Sequence, residues 1–124
     1  MKFIQTQNAP QAIGPYSQAV VANGIIYTSG QIALTPDGNM LENDIVIQTK
    51  QVLKNLSAVL EEADSSLSNV IKTTIFLENM DDFAVVNELY AEAFGDHKPV
   101  RSTVAVKTLP KNALVEMDAI ALLY

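Results

Sequence analysis

The sequence contains a single arginine, Arg101, at the start of the segment RSTVAV, which has the alternating pattern of a half-buried strand. A guanidinium is planar and permanently charged, and its paired N–H donors fit a carboxylate or a phosphate in bidentate fashion. Arg101 is therefore a candidate clamp for a small organic anion. The alternative is a structural role, as a surface ion pair or as an arginine stacked at an interface.

A lone carboxylate and a lone amide stand among apolar neighbours elsewhere in the sequence. Glu116 interrupts the apolar run ALVEMDAIALLY, where a carboxylate removed from water needs a partner. It is a candidate general acid and base, or simply the ion-pair partner of a lysine or of Arg101. Asn87 lies between Phe83 and Tyr90 at helical spacing, so its amide either ties a helix to a nearby backbone or contacts a ligand.

Two further segments, IGPYS and TSGQI, place glycine next to hydroxyl-bearing residues. Gly30, near the end of a predicted strand, allows the close approach of another backbone or of a ligand. The phenol of Tyr16 is placed to cap a pocket. Neither segment matches a phosphate-binding loop, since GxGxxG and GxxxxGK[ST] are both absent. The only histidine, His97, follows a predicted helix, and the helix dipole accounts for it without a chemical role.

The composition indicates a globular protein and argues against several classes of function. Hydrophobic residues make up 48% of the chain and the formal net charge is -6, with no cluster of basic residues. A nucleic acid or an anionic membrane is therefore not expected as a partner. With no cysteine and one histidine, no metal and no cofactor are expected. No segment is long and apolar enough to span a membrane, so a cytoplasmic location is expected.

The hydrophobic pattern predicts one α+β domain over residues 1–124, with the element order β-β-β-α-β-α-β-β. Asn23-Gly24 between two apolar runs predicts a two-residue hairpin of type I′. The β-branched stretch NVIKTTIFL, residues 69–77, predicts a strand between the two helices.

Both helices are predicted from periodicity and end signals. Apolar residues recur at spacings of three and four over residues 45–63, which predicts a long amphipathic helix capped by Asn43 or Asp44. The second helix is predicted to open at Asp81-Asp82, where negative charge suits the dipole, and to end at Gly95.

Two helices and a mixed sheet make a sandwich of two layers, so one face of the sheet stays without helical cover. Alternation puts Arg101 and Thr103 on one side of their strand, and Glu116 and Asp118 on one side of the last strand. If the more apolar rows face the helices, Arg101 and Glu116 both point to the helix-free face. A face that mixes apolar and charged groups predicts an interface between subunits.

Together, the segments AIGPYSQAV, YTSGQIAL, KTTIFLENMDDFAVVNELYAEAF, KPVRSTVAV and LVEMDAIAL resemble the RidA family, the reactive-intermediate (enamine/imine) deaminases. The resemblance runs from about residue 8 to the C-terminus and keeps the order of every segment. It implies a chorismate-mutase-like fold, with a mixed sheet that carries two helices on one face. It also implies a homotrimer whose sheets form a central barrel, with the sites in clefts between subunits.

The resemblance implies catalytic roles for three residues. Arg101 falls on the arginine that binds the substrate carboxylate. Glu116 falls on the glutamate that holds or activates the attacking water, and Tyr16 falls on the pocket tyrosine.

Further residues that line the site are also implied by the resemblance. Ser29 and Gly30 fall on a pair that contributes partly through its backbone, and Asn87 falls on a helix asparagine near the site. Thr103 stands where many members have cysteine, and it is tolerable there if that position contributes mainly backbone. Val100 replaces a common alanine and would narrow the cleft.

The implied reaction is the hydrolysis of a 2-imino or enamine acid, such as 2-iminopropanoate, to a 2-oxo acid and ammonia. The imine carbon is already electrophilic, so neither a metal nor a covalent nucleophile is needed. The alternative is a non-catalytic regulatory or chaperone-like protein that binds a metabolite in the same pocket. RNA cleavage ranks behind both, because the chain is acidic and has no basic stripe.

Overall fold

The structure is a computed structural model and describes residues 1–123. Its strands and helices follow the predicted order β-β-β-α-β-α-β-β. They are β1 (Lys2–Ile4), β2 (Ala19–Ala22), β3 (Ile25–Thr28), α1 (Ile45–Glu62), β4 (Val70–Leu77), α2 (Phe83–Phe94), β5 (Val100–Ala105) and β6 (Val115–Leu122).

The strands form one six-stranded sheet in the order β1-β2-β3-β6-β4-β5. β4 and β5 run parallel because α2 returns the chain between them, and every other neighbouring pair is antiparallel. The sheet is therefore mixed, as predicted. α1 and α2 pack beside each other on one face of the sheet, and the hydrophobic core lies between the two layers.

The hairpin between β2 and β3 has the predicted turn. Asn23 and Gly24 have φ angles of 53° and 77°, so both central residues adopt the positive φ that a type I′ turn requires. The turn sets the register of β2 against β3, which pairs Val21 with Ile26.

Both helices lie where the pattern predicts them. Asp44 caps α1, and its carboxylate accepts a hydrogen bond of 3.0 Å from the Ile47 amide. α2 begins at Phe83, directly after a turn of 3₁₀ helix over residues 80–82. It ends at Gly95, whose φ of 59° favours glycine.

The alternation of β6 divides its side chains as predicted. Val115, Met117 and Ala119 are buried against the helical layer. Glu116 and Asp118 project from the opposite side, which we call the helix-free face. β6 runs between β3 and β4, and Glu116 is the second residue of this strand, so it lies away from the edge strands and near one end of this face.

The prediction that Arg101 shares the helix-free face with Glu116 is wrong. Arg101 lies beside Thr73 in the β4–β5 ladder, and Thr73 is fully buried beneath α2. Arg101 and Thr103 therefore point towards α2, whereas Val104 points to the helix-free face and is 43% exposed. The physical reason is that α2 presents aromatic rings to its end of the sheet, and these accept the long arginine side chain.

Within residues 1–123, no helix is long and apolar enough to cross a membrane. The expected cytoplasmic location stays a prediction.

Candidate active site

Glu116 lies in a cavity of about 310 Å³ built by the N-terminal loop, the segment after β3 and the turn before β6. Tyr16 and Gly30 are also in its wall. Gln31 pairs with Met117 through two backbone hydrogen bonds of 2.8 and 3.1 Å, which hold the segment after β3 against β6. Three of the predicted site residues, Tyr16, Gly30 and Glu116, therefore come together in this cavity.

The carboxyl group of Glu116 rests directly on the backbone of Gly30. A Cβ atom added at Gly30 would lie 2.9 Å from Cδ of Glu116, and the carboxylate oxygen Oε2 would be nearer still. The close approach predicted at Gly30 is thus made by the Glu116 side chain. Any larger residue at position 30 must push this carboxyl group aside.

Glu116 is half-buried, and its surroundings disfavour the charged form. Burial raises the pKa of the Glu116 carboxyl, and the nearby Asp118 carboxylate raises it further. Burial also raises the pKa of Asp118, against the opposing influence of Lys72. Glu116 consequently takes up a proton at a higher pH than an ordinary glutamate does, which suits a group that accepts and returns protons.

The loop that carries Tyr16 is anchored by the buried side chain of Gln18. The Gln18 amide accepts a hydrogen bond from the Thr6 amide at 2.6 Å and donates to the carbonyls of Thr6 and Pro10. Tyr16 itself is 54% exposed, with its ring at the cavity wall. The fixed loop therefore presents an accessible phenol beside Glu116.

Arg101 lies in a second cavity, of about 340 Å³, beneath α2. The carbon Cζ of its guanidinium is 4.8 Å from the centroid of the Tyr90 ring and 5.5 Å from that of Phe83. The described residues thus place two aromatic rings, rather than a carboxylate, against the guanidinium. Its N–H donors remain available to an anion that enters the cavity.

Asn87 lines the same cavity as Arg101, on the exposed side of α2. The structure therefore favours the ligand-contact alternative for Asn87 over a buried structural amide. Both residues offer donors to the same space. The ring of His97 is nearby, and its Nε2–H donates to the Val70 carbonyl at 2.6 Å, in keeping with a structural role.

Ser29 and Thr103 are placed differently from the other predicted site residues. The Ser29 hydroxyl donates to the Ser17 carbonyl, so it is committed to the loop that carries Tyr16. The Thr103 hydroxyl is buried and has no hydrogen-bond partner among residues 1–123. Neither side chain is part of the two cavity walls around Glu116 and Arg101.

Within one copy of the protein the two cavities are separate, because Arg101 and Glu116 project from opposite sides of the sheet. Arg101 pairs laterally with Thr73, on the side of the helices, whereas Glu116 pairs with Phe76, on the helix-free face. A single copy therefore holds the anion clamp and the acid–base group as two separate halves.

Sequence reasoning missed two residues of the cavity walls, Tyr90 and Lys111, and one ring that contacts Arg101, that of Phe83. From the sequence, Phe83 and Tyr90 are predicted only as part of the apolar stripe of α2. The spacing of one helical turn between Asn87 and Tyr90 nevertheless places both on the same side of the helix. From the sequence, Lys111 is predicted only as part of the turn PKN. In the structure it lines the cavity of Glu116, and its backbone has a positive φ of 54°. The usable signal was its position in the turn just before the strand that carries Glu116.

The model of the endoribonuclease L-PSP family matches residues 6–123. The chain belongs to this family. Among its L-PSP relatives, the 2-iminobutanoate/2-iminopropanoate deaminase of Mus musculus is 46% identical, with 97% of this chain and 90% of the relative covered. A protein of Lactococcus lactis that carries a regulator's name, AldR, is 50% identical, with 98% and 97% covered.

Solved structures of similar proteins have the same fold. YyfA from Yersinia pestis, described as a member of the Rid family, is 53% identical with a TM-score of 0.96, and 98% of both chains is covered. TdcF from E. coli, solved with bound serine, is 40% identical with a TM-score of 0.93 and the same coverage. The resemblance to RidA proteins is therefore confirmed, and the α+β fold with a mixed sheet and two helices is shared.

Proposed function

We propose that this L-PSP protein is a deaminase that hydrolyses reactive 2-imino and enamine acids, such as 2-iminopropanoate, to 2-oxo acids and ammonia. Arg101 holds the substrate carboxylate and Glu116 orients the attacking water. The observation that carries the proposal is the chemistry of the two half-sites: a guanidinium free to grip an anion, and a half-buried carboxyl with a raised pKa.

Two relatives support this choice of substrate. The mouse relative is named as a deaminase of 2-iminobutanoate and 2-iminopropanoate, and TdcF was solved with serine, a small molecule that carries a carboxylate beside a nitrogen. A 2-imino acid has the same arrangement. Arg101 is the natural partner of such a carboxylate because its donors fit both oxygens at once.

The reaction needs only water and proton transfers. Glu116 in its charged form accepts a proton from water as the water oxygen bonds to the imine carbon, and it returns this proton to the nitrogen to form a carbinolamine. Glu116 then takes the proton of the hydroxyl group and passes it to the same nitrogen as the C–N bond breaks, so that ammonia leaves and the 2-oxo acid forms. Holding water about 3 Å from the carbon and supplying one acid–base group accounts for roughly 10²–10⁴-fold acceleration.

We further propose a homotrimer with a central barrel, in which one copy's Arg101 meets the Glu116 of a neighbouring copy. The helix-free face supports this, because Tyr27, Val104 and Leu122 on it are 43%, 43% and 45% exposed. An apolar face of this kind is stabilised by burial against another copy. Assembly would also unite the two half-sites that a single copy keeps apart.

The test of the activity uses an imine made in place by an amino-acid oxidase, with release of the 2-oxo acid followed over time. We expect the protein to accelerate release well above the spontaneous rate. A protein that binds 2-oxobutanoate without accelerating release would instead be a metabolite-binding regulator, an alternative favoured by the name of the AldR relative. Cleavage of RNA without imine turnover would contradict both.

Gly30→Ala is expected to lower kcat about tenfold or more while the affinity for 2-oxobutanoate changes little. The added Cβ would lie 2.9 Å from Cδ of Glu116 and displace the carboxyl group from its water-holding position. Steady-state kinetics and ligand titration measure the two effects. Gly38→Ala adds a methyl group at a glycine outside both cavity walls, where the positive φ of 87° strains the backbone but the carboxyl group of Glu116 is not touched. It should keep its kcat once folded, and an equal loss of kcat there would contradict the argument.

The pH profile of kcat is expected to have an acid limb above the ordinary glutamate value of 4.5, because Glu116 has a raised pKa and must be charged to accept a proton. Activity therefore falls as pH falls through this raised value. Asp118→Asn removes one of the two causes and is expected to move the limb to lower pH. An unmoved limb in that variant would show that another group controls it.

A further inference from the structure

The guanidinium of Arg101 lies against a pair of stacked aromatic rings on α2. It lies 4.8 Å from the ring centroid of Tyr90, and the Tyr90 ring stacks on Phe94 with centroids 4.4 Å apart. The Tyr90 hydroxyl shares a hydrogen bond of 2.7 Å with the Thr73 hydroxyl. Thr73 is the residue directly beside Arg101 in the β4–β5 ladder.

We propose that Tyr90, fixed by Thr73, is a positioning residue that orients Arg101 towards the substrate carboxylate. This inference rests on the proposed function, because it assigns a purpose to Tyr90 only if Arg101 binds the carboxylate. Tyr90 acts through Arg101 and takes no part in the proton transfers.

The physical argument starts from the flexibility of arginine. A free arginine side chain samples many rotamers, and fixing it when a ligand binds costs free energy because this freedom is lost. A ring that already holds one face of the guanidinium removes part of this cost. The edge of the guanidinium, which carries the N–H donors, stays free for the anion.

The anchoring of Tyr90 fits this purpose. The ring is held from three directions: by the Thr73 hydroxyl, by the Phe94 ring and by the helix backbone of α2. Burial raises the pKa of Tyr90, so the phenol stays neutral and keeps its hydrogen bond at physiological pH. A neutral, fixed ring offers the guanidinium a constant surface.

The test compares Tyr90→Leu, Tyr90→Phe and Thr73→Val by titration with 2-oxobutanoate and by imine kinetics. Tyr90→Leu removes the ring, and we expect Kd and KM to rise about 3- to 30-fold with kcat nearly unchanged. Tyr90→Phe keeps the ring and loses only the hydrogen bond that fixes it, so it should lose part of the affinity, but less than Tyr90→Leu does. Thr73→Val removes the same hydrogen bond from the other side and should match Tyr90→Phe.

Two controls separate positioning from a loss of stability. Val86→Ala removes buried atoms one turn away on α2, outside the cavity wall, and should lower the melting temperature without changing Kd. In the Arg101→Ala background, Tyr90→Leu should cause no further loss of affinity, because the ring then has no guanidinium to orient.

The outcomes distinguish this inference from the proposed function. If Arg101→Ala binds 2-oxobutanoate as well as the wild type does, the carboxylate clamp itself is wrong. If Arg101→Ala loses binding but Tyr90→Leu does not, the clamp stands and the positioning role is overturned. An equal loss from Tyr90→Leu with and without Arg101 would likewise overturn it.

Discussion

Replacing Arg101 by alanine is expected to lower kcat/KM for 2-iminopropanoate about a hundredfold or more, because a bidentate pair of charge-assisted hydrogen bonds to the carboxylate is lost. Among the described residues, Lys98 is the only other lysine or arginine in the wall of this cavity, and its single ammonium group cannot reproduce the paired donors of a guanidinium. The measurement is the initial rate of 2-oxo acid release from oxidase-generated imine at several substrate concentrations.

Arg101→Lys is the matched variant, since it keeps the charge and most of the stem but loses the planar donors and the stacking face. It should recover only a small part of the lost activity. Both variants should keep the fold, because Arg101 is only partly buried and its removal leaves the core intact. Undiminished turnover by Arg101→Ala would show that the substrate is held elsewhere.

The sequence was sufficient for the parts of the fold that local chemistry determines. Asn23-Gly24 allows one tight turn, Asp44 caps one helix, and the apolar repeat between residues 45 and 63 has one period. On β6 the buried row is the more apolar one, so alternation placed Glu116 on the helix-free face correctly. In each of these places a short stretch of chain contains all the relevant information.

The orientation of β5 failed because its decisive contacts are not local. Alternation offers two faces, and the usual burial of apolar side chains predicts that the valine row faces the helices. Here Tyr90 and Phe83 of α2 accept the arginine instead, and Val104 is left on the helix-free face. Neither preference can be weighed without knowing which rings α2 presents to the edge of the sheet.

The candidate site was predicted as a set of residue types rather than as a geometry. Tyr16, Gly30 and Glu116 come together within one copy, and so do Asn87 and Arg101, but the two groups do not meet. Nothing in the sequence of one chain specifies how a second copy approaches it. The separation of the two half-sites has a consequence that can be tested. If Arg101 and Glu116 act on the same substrate, the proposed assembly is required for catalysis.

Glu116→Gln is expected to lower kcat by roughly 10²–10⁴-fold with the affinity for 2-oxobutanoate preserved, because the amide cannot accept a proton from water. This variant keeps the half-site of Arg101, and Arg101→Ala keeps the half-site of Glu116. If a neighbouring copy completes each site, the two inactive variants should complement each other once they share one particle.

The experiment unfolds the two variants together in equal amounts, refolds them and measures imine hydrolysis. Each mixed trimer then has one site that combines an intact Arg101 from one copy with an intact Glu116 from its neighbour. Over all trimers that random mixing forms, this is about one quarter of the sites, so about a quarter of the wild-type activity should return. Each variant refolded alone should stay inactive and sediment as a trimer. Mixed trimers as inactive as their parents, or a wild-type protein that sediments as a monomer at micromolar concentration, would show that the two half-sites do not work across a subunit boundary.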